Sequence, residues 1–319
     1  MIFVFETFLK NRDNVICVDA NFPAKIQISH WPGHSTPSEL FADTTTEMAF
    51  KLIESPQKDE YLRGIEVISN NHFDSDGVIS AFVLNNPEFS LANKQSLINI
   101  ALTGDFAEFT TEDALKADYV LNNLIDYNKS IFKHLIKDLQ FPHAAQLMYE
   151  KGFDIIPELI SDIEKFEPYW KEDFNWYQKS DQSFESQQSV FSNYGDIRLT
   201  VLESDFEIHP VAKVSQAGCE IILSAIKHEE GRLYSIEYKP FAWHSTTRPQ
   251  KIARKPLESL AEKLNLIETN KIGKWKVIGT DPNTDWDYRM NFSDKSFIQI
   301  PSKLEVHEIE NILFDYFFE

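Results

Sequence analysis

Residues Ile65–Phe82, IEVISNNHFDSDGVISAF, constrain the fold more than any other stretch of this chain. A short β-branched run reads as a buried strand. It passes through His72-x-Asp74-x-Asp76-Gly77 into a second apolar run with the character of a helix. Strand, polar turn and helix in that order open a βα unit of a parallel sheet. His72, Asp74 and Asp76 are three potential metal ligands at the point where an open α/β sheet carries its active site. A divalent cation is the simplest reason to gather them. An Asp-Gly turn capping the helix is the plainer alternative, but it leaves His72 and one Asp without a role.

The surrounding pattern agrees with such a sheet. Strand-like runs occur at Val15–Val18 and Lys25–Ser29, and a fourth follows at Leu97–Leu102. Helix-like stretches at Thr44–Glu54 and Gly77–Asn85 lie between them. Alternation of this kind predicts an α/β fold, a mostly parallel sheet with helices on both faces. From Thr110 to about Gln188 the pattern is helical, with Pro142 and Pro157 read as breaks. The polar, Ser- and Gln-rich segment Lys179–Ser192 is the expected domain boundary. Beyond it come β-like runs at Arg198–Leu202, Glu220–Ala225, Arg232–Tyr238, Trp275–Ile278 and Ser296–Ile300. Helices are expected at Pro256–Asn265 and Lys303–Phe318. The organisation predicted is an α/β domain with a helical extension over 1–190 and a smaller α+β domain over 195–319.

Charge narrows the function classes. A formal net charge of −19 sets up a field that disfavours nucleic acid and anionic membrane as partners. Cys17 and Cys219 have neither disulfide nor metal spacing and read as buried free thiols of a reducing compartment. With no signal-like N-terminus and no long apolar run, a cytoplasmic location is expected. Oligomeric state is not readable from these features.

On this strand assignment Asp19, His30 and His72 each fall at or just past the carboxyl end of a strand, so three loops can meet at one sheet edge. Asp105, in LTGDF after the fourth run, is a further candidate ligand on that edge, or else a helix N-cap. Mixed imidazole and carboxylate ligation suits Mn²⁺ or Mg²⁺ better than a structural zinc. Two such ions would clamp a phosphoryl group and lower the pKa of a bound water.

HFDSDG resembles the His-x-Asp-x-Asp-Gly first motif of the DHH phosphoesterases, a family that uses paired Mn²⁺ or Mg²⁺ ions. The earlier segment VICVDANFPAKIQISHWPGHSTPSELFADTTTEMAFKLIE is similar to that family's later motifs, as in a circularly permuted relative. The resemblance implies that Asp19 matches the bridging aspartate and His30 the first histidine of the DHH triplet, with Asp43 near the last acidic motif. Ser29 and Trp31 stand where the triplet has Asp and its second His, and His34 could supply the missing imidazole. Over its whole length the chain also resembles an uncharacterised bacterial family with SHWPG and NHFD-x-DG segments.

In the C-terminal part, WHSTTRPQKIARKP gathers His244, Arg248, Lys251 and Arg254 in an otherwise acidic chain, a possible clamp for a substrate anion. The function expected is a metal-dependent hydrolase of phosphoester or phosphoanhydride bonds in a small phosphorylated molecule. Asp19, His30, His34, His72, Asp74, Asp76 and Asp105 would hold metal, with Asp74, Asp76 and His30 in the catalytic role. Asp76→Ala is expected to abolish turnover while the fold survives. The alternative is a non-catalytic binding protein on a degenerate DHH-like scaffold.

Overall fold

Fully buried apolar strands joined through helices require both faces of a sheet to be covered. The computed structural model, which describes residues 1–240, 244–248, 254–282, 285 and 287–318, has this arrangement in the first of two compact units. That unit comprises residues 1–175 together with 244–249. Its sheet holds β1 (Ile2–Phe3), β2 (Val15–Val18), β3 (Ile26–Ile28) and β4 (Val67–Ser69), in the order β1-β4-β2-β3. Every pairing is parallel, with Ile16 opposite Ile68 on one side and Ile26 on the other. The carboxyl ends of β2, β3 and β4 therefore share one edge, followed by Asp19, by Ser29 and His30, and by Asn70 to Asp76.

Around this sheet lie α1 (Thr45–Glu54), α2 (Lys58–Tyr61), α3 (Ser75–Asn85), α4 (Pro87–Ala92), α5 (Lys94–Phe106), α6 (Glu112–Asn122), α7 (Lys133–Ile136) and α8 (Phe141–Ser161). The start of α1 is a capping box: the Thr44 side chain accepts from Glu47 N, and Glu47 accepts from Thr44 N. Nearly all of α3 is buried, as its all-round apolar sequence requires, and it packs against α1, α5, α6 and α8.

Several local expectations need correction. Leu97–Leu102 lies inside α5 and is not a strand, because a short apolar run has no period of its own to separate helix from strand. Asp105 accordingly sits in the last turn of α5 and not at a helix N-cap. Pro142 occupies the first turn of α8, where its missing N–H costs nothing, while Pro157 lies inside α8 without ending it.

The second unit comprises residues 176–243 and 250–319. It is built on β5 (Ser189–Tyr194), β6 (Leu199–Ser204), β7 (Ile221–His228), β8 (Gly231–Tyr238), β9 (Lys274–Ile278) and β10 (Arg289–Ser293). Their order is β5-β6-β7-β8-β10-β9, antiparallel except for the parallel pair β6–β7. The polar segment Lys179–Ser192 is not a linker: it forms the end of α9 (Glu167–Glu185) and the first half of β5. The units divide between Asn175 and Trp176, within α9.

Leu223, Tyr234, Ile236, Met290 and Phe292 of this sheet pack with Leu260 and Leu264 of α11 (Glu258–Ile267) and Leu313 of α12 (Val306–Phe318). The short helix α10 is Pro210–Gln216. Ser296–Ile300 is no strand; Gln299 makes one isolated bridge to Ser293. Both cysteines are free thiols, Cys17 buried in β2 and Cys219 only partly buried ahead of β7. Among the described residues no helix is long and apolar enough to cross a membrane.

Candidate metal centre

Immediately after β2, Asp19 adopts the left-handed φ of 49°, a conformation that costs an L-residue about 1 kcal/mol or more. Its N–H still reaches Ile28 O at 3.0 Å, so the chain turns without leaving the ladder. The side chain is buried and its two oxygens serve different partners. Oδ1 accepts from Thr45 Oγ1 at 3.1 Å and faces His30 Nε2 at 3.2 Å, whereas Oδ2 faces His72 Nε2 at 3.1 Å.

Each histidine is oriented through its other ring nitrogen. His30 Nδ1–H donates to the Asp43 carbonyl at 2.7 Å, which leaves Nε2 toward Asp19 and toward Asp105 at 3.4 Å. His72 Nδ1 pairs with Asn71 Oδ1 at 3.2 Å, which leaves Nε2 between Asp19 and Asp74 Oδ2, the latter at 2.9 Å. Asn70 at the end of β4 supports this loop, its Oδ1 accepting from the N–H groups of Asn71 and His72. Tyr149 of α8 donates its hydroxyl to the His72 carbonyl at 3.2 Å.

The two aspartates of HFDSDG divide the work. Asp74 is the N-cap of α3, its Oδ1 accepting from Gly77 N at 2.8 Å, so the plainer helix-cap reading and the ligand reading hold together. Asp76 points the other way, to the start of α1, where its oxygens accept from Thr45 N at 2.7 Å and Thr46 N at 2.8 Å. A carboxylate at a helix N-terminus is favoured by the exposed N–H groups and the dipole.

Three overlapping groups of ligand atoms result, each with its atoms within 4.8 Å of one another: Asp19, His72 and Asp74; Asp19, His30, Asp76 and Asp105; and His30, Asp105 and His244. Such groups could hold a metal ion, and the charge state of the side chains fits one. Burial and the charges of Asp76 and Asp19 raise Asp105 well above the usual carboxylate range, and burial with the Asp19 charge pushes Asp76 up to about 6. Burial opposes ionisation of Asp19 as well, but hydrogen bonds from His30 and His72 overturn it and hold Asp19 well below the usual range. His72 is raised well above its ordinary value, against burial, by the charge of Asp74 and the bond to Asp19. Retained protons are thus the only positive charge these groups offer one another, the place a cation would take.

A sequence model of one protein family matches residues 1–317. The chain belongs to the DUF6687 family. That family is described as one of unknown function. No curated protein matches the chain. Among solved structures, the chain is similar to a pGpG-specific phosphodiesterase, PggH from Vibrio cholerae, at 12% identity. The alignment covers 79% of this chain and 78% of that one, with a TM-score of 0.38.

Other residues singled out from the sequence lie elsewhere or have other partners. His34 falls outside the three groups: its ring stacks on Phe41 at 5.0 Å and its Nδ1 accepts from Thr36 N. Arg248 belongs to the first unit but is no open anion clamp. Its Nε donates to Asp43 Oδ2 at 2.8 Å and its Nη2 to Glu108 Oε2 at 3.1 Å, while the guanidinium lies over the Phe106 ring. Arg254 belongs to the second unit, buried, its Nη1 donating to the carbonyls of Pro282 and Asp285. Burial lowers its pKa to about 10, and its other Nη donates to Lys239 O. Lys251 lies outside the described residues. Asn70, Tyr149 and Glu108 had no ligand-like signal in the sequence, and Asp43, singled out only by its place near the last acidic motif, anchors His30 and Arg248.

Asp118 of α6 is a further buried carboxyl outside the three groups, bonded by Ser75 Oγ at 2.7 Å and Asn122 Nδ2 at 2.8 Å. Burial pushes it up to about 7, Ser75 and Asn122 opposing the shift and the charge of Asp74 adding to it. A folded value above the unfolded one stabilises the fold fully below about pH 4, and that contribution is lost as pH rises through about 7. Asp118→Asn is therefore expected to flatten the fall in Tm between pH 5 and pH 8, with a gain at pH 8 on the order of 2–4 kcal/mol. Calorimetry at the two pH values checks this; equal slopes for both proteins would show that Asp118 does not titrate in this range.

Proposed function

We propose that the chain is a metal-dependent hydrolase of phosphoester or phosphoanhydride bonds in a small phosphorylated molecule. The observation that carries this reading is Asp19, whose two oxygens belong to two different ligand groups. One carboxylate shared by adjacent groups suits a pair of divalent cations side by side, with Asp19, His72 and Asp74 toward one and Asp19, His30, Asp76 and Asp105 toward the other. Mn²⁺ or Mg²⁺ bound there would supply Lewis acidity toward phosphoryl oxygens and toward an attacking water.

The protein's own groups would orient and shield. His30, Asp19 and Asp76 are buried and exclude bulk water, whereas the side chains of His72 and Asp74 are 24% and 35% exposed and mark the side from which a substrate enters. The Trp31 ring, where the DHH pattern has its second His, tilts over His72 at 5.0 Å and gives that side an apolar wall. Because Arg248 is already paired with Asp43 and Glu108, negative charge on the substrate would be met by cations.

Turnover of bis(p-nitrophenyl) phosphate that is lost with chelator and restored by Mn²⁺ is the expected result. Mn²⁺ at about a hundred times its Kd should also stabilise the fold by about 2.7 kcal/mol, a Tm rise of roughly 5–10 °C by scanning calorimetry. The absence of both p-nitrophenol release and a Tm shift would refute the reading. The second reading, a non-catalytic binding protein, draws on Ser29, whose Oγ accepts from Trp31 N at 3.1 Å and so serves the turn. Metal uptake without p-nitrophenol release would favour it.

A further inference from the structure

The buried side of the centre holds an imidazole that the DHH motifs do not supply. His244 is 3% exposed, and its ring lies 4.1 Å from that of His30 and edge-on to Phe106 at 5.2 Å. It comes from residues 244–248, which group with the first unit although the chain on either side belongs to the second. This short strap is fastened down along its length. Ser245 N donates to His30 O at 2.7 Å, and Thr247 donates from both N and Oγ1 to Asp43 Oδ1, each at 2.7 Å. Arg248 adds its bonds to Asp43 and Glu108. Asp43 is the common anchor: its carbonyl fixes the tautomer of His30, and its carboxylate fixes the strap that carries His244.

We infer that His244 is a ligand of the inner cation, which makes the two metal positions chemically unlike. The inner one offers the two buried imidazoles of His30 and His244, with His30 and Asp105 shared with the group that adds the carboxylates of Asp19 and Asp76. The outer one offers two carboxylates and one imidazole from Asp19, Asp74 and His72, partly open. A second imidazole shifts a site toward borderline first-row ions such as Zn²⁺ or Fe²⁺, whereas a set with one imidazole and carboxylates accepts Mg²⁺ and Mn²⁺. The inner position therefore takes a transition ion that a large excess of Mg²⁺ does not displace, while the outer ion exchanges. The inference rests on the metal centre proposed above but not on hydrolysis.

The test is the full chain stripped of metal and loaded with one equivalent of Zn²⁺. X-ray absorption fine structure should then count two imidazoles per ion in the wild type. In His244→Gln the count should drop to one and affinity for the first equivalent should fall at least tenfold, by dialysis and elemental analysis. His72→Gln should leave that first equivalent unchanged. One imidazole in the wild type, or unchanged count and affinity in His244→Gln, overturns the role of His244 alone. A wild type that binds no Zn²⁺ overturns the metal centre with it, whereas two imidazoles without phosphodiester turnover overturn only the hydrolase reading. Should His244→Gln fail to fold, the wild-type count still decides.

Discussion

Asp74→Asn is expected to lower phosphodiester turnover about a thousandfold, roughly 4 kcal/mol of transition-state stabilisation, while changing stability by less than about 1 kcal/mol. The separation is possible because the two oxygens of Asp74 have separate duties. Oδ1 caps α3 through Gly77 N, and Oδ2 faces His72 Nε2. Asparagine caps a helix as well as aspartate does, so its carbonyl keeps the first duty, while the uncharged amide cannot perform the second. Steady-state kinetics with Mn²⁺, together with thermal melts, measures both; unimpaired turnover would remove Asp74 from the reacting centre.

Asp76→Ala, the substitution that the motif itself suggests, is a poorer probe. Its carboxylate is the acceptor for Thr45 N and Thr46 N, so its removal leaves two buried N–H groups at the head of α1, at about 1–3 kcal/mol each. The variant is therefore expected to lose stability as well as turnover, so lost activity in it would not separate chemistry from packing.

Gly77→Ala should be the most damaging change outside the ligand set. A Cβ at Gly77 would lie 2.5 Å from Asn70 Nδ2, 2.7 Å from Tyr149 Oη and 3.0 Å from Asp74 Oδ1. Those three side chains shape the His72 loop and cap α3, and Asn70 and Tyr149 are fully buried, so neither of these two can withdraw freely. Overpacking of this kind costs about 1–3 kcal/mol, enough to outweigh the ~1 kcal/mol that alanine gains over glycine within a helix. Because the displaced groups hold the backbone of His72, Mn²⁺ affinity should fall about tenfold or more along with Tm. A variant as stable as the parent, with equal Mn²⁺ affinity by calorimetric titration, would show that the loop tolerates the extra methyl.

Much of the first unit was legible because its signals are local. Val15–Val18 reads as a buried strand on composition alone, and HFDSDG places a capping Asp, a second Asp and a glycine at one helix start. Knowing that successive strands run parallel is then enough to bring Asp19, His30 and His72 to one edge. The run at Leu97–Leu102 failed for the converse reason: its apolar pattern is compatible with either structure, and only packing of α5 against α3 and α6 makes it a helix and carries Asp105 to the centre.

What the amino-acid order determined by itself is therefore the set of strand-end loops and the chemical types they carry, since capping, turn chemistry and apolar runs act over a few residues. Tertiary structure alone decided which charges meet. Arg248 reads as a free cation in the sequence, yet Asp43, 205 positions away, and Glu108, 140 away, neutralise it, and His244 reads as part of an anion clamp yet lies against His30. Partners so far apart along the chain leave no local pattern, because the Coulomb and hydrogen-bond energies that select them depend on distances of a few Å that exist only once the chain has folded.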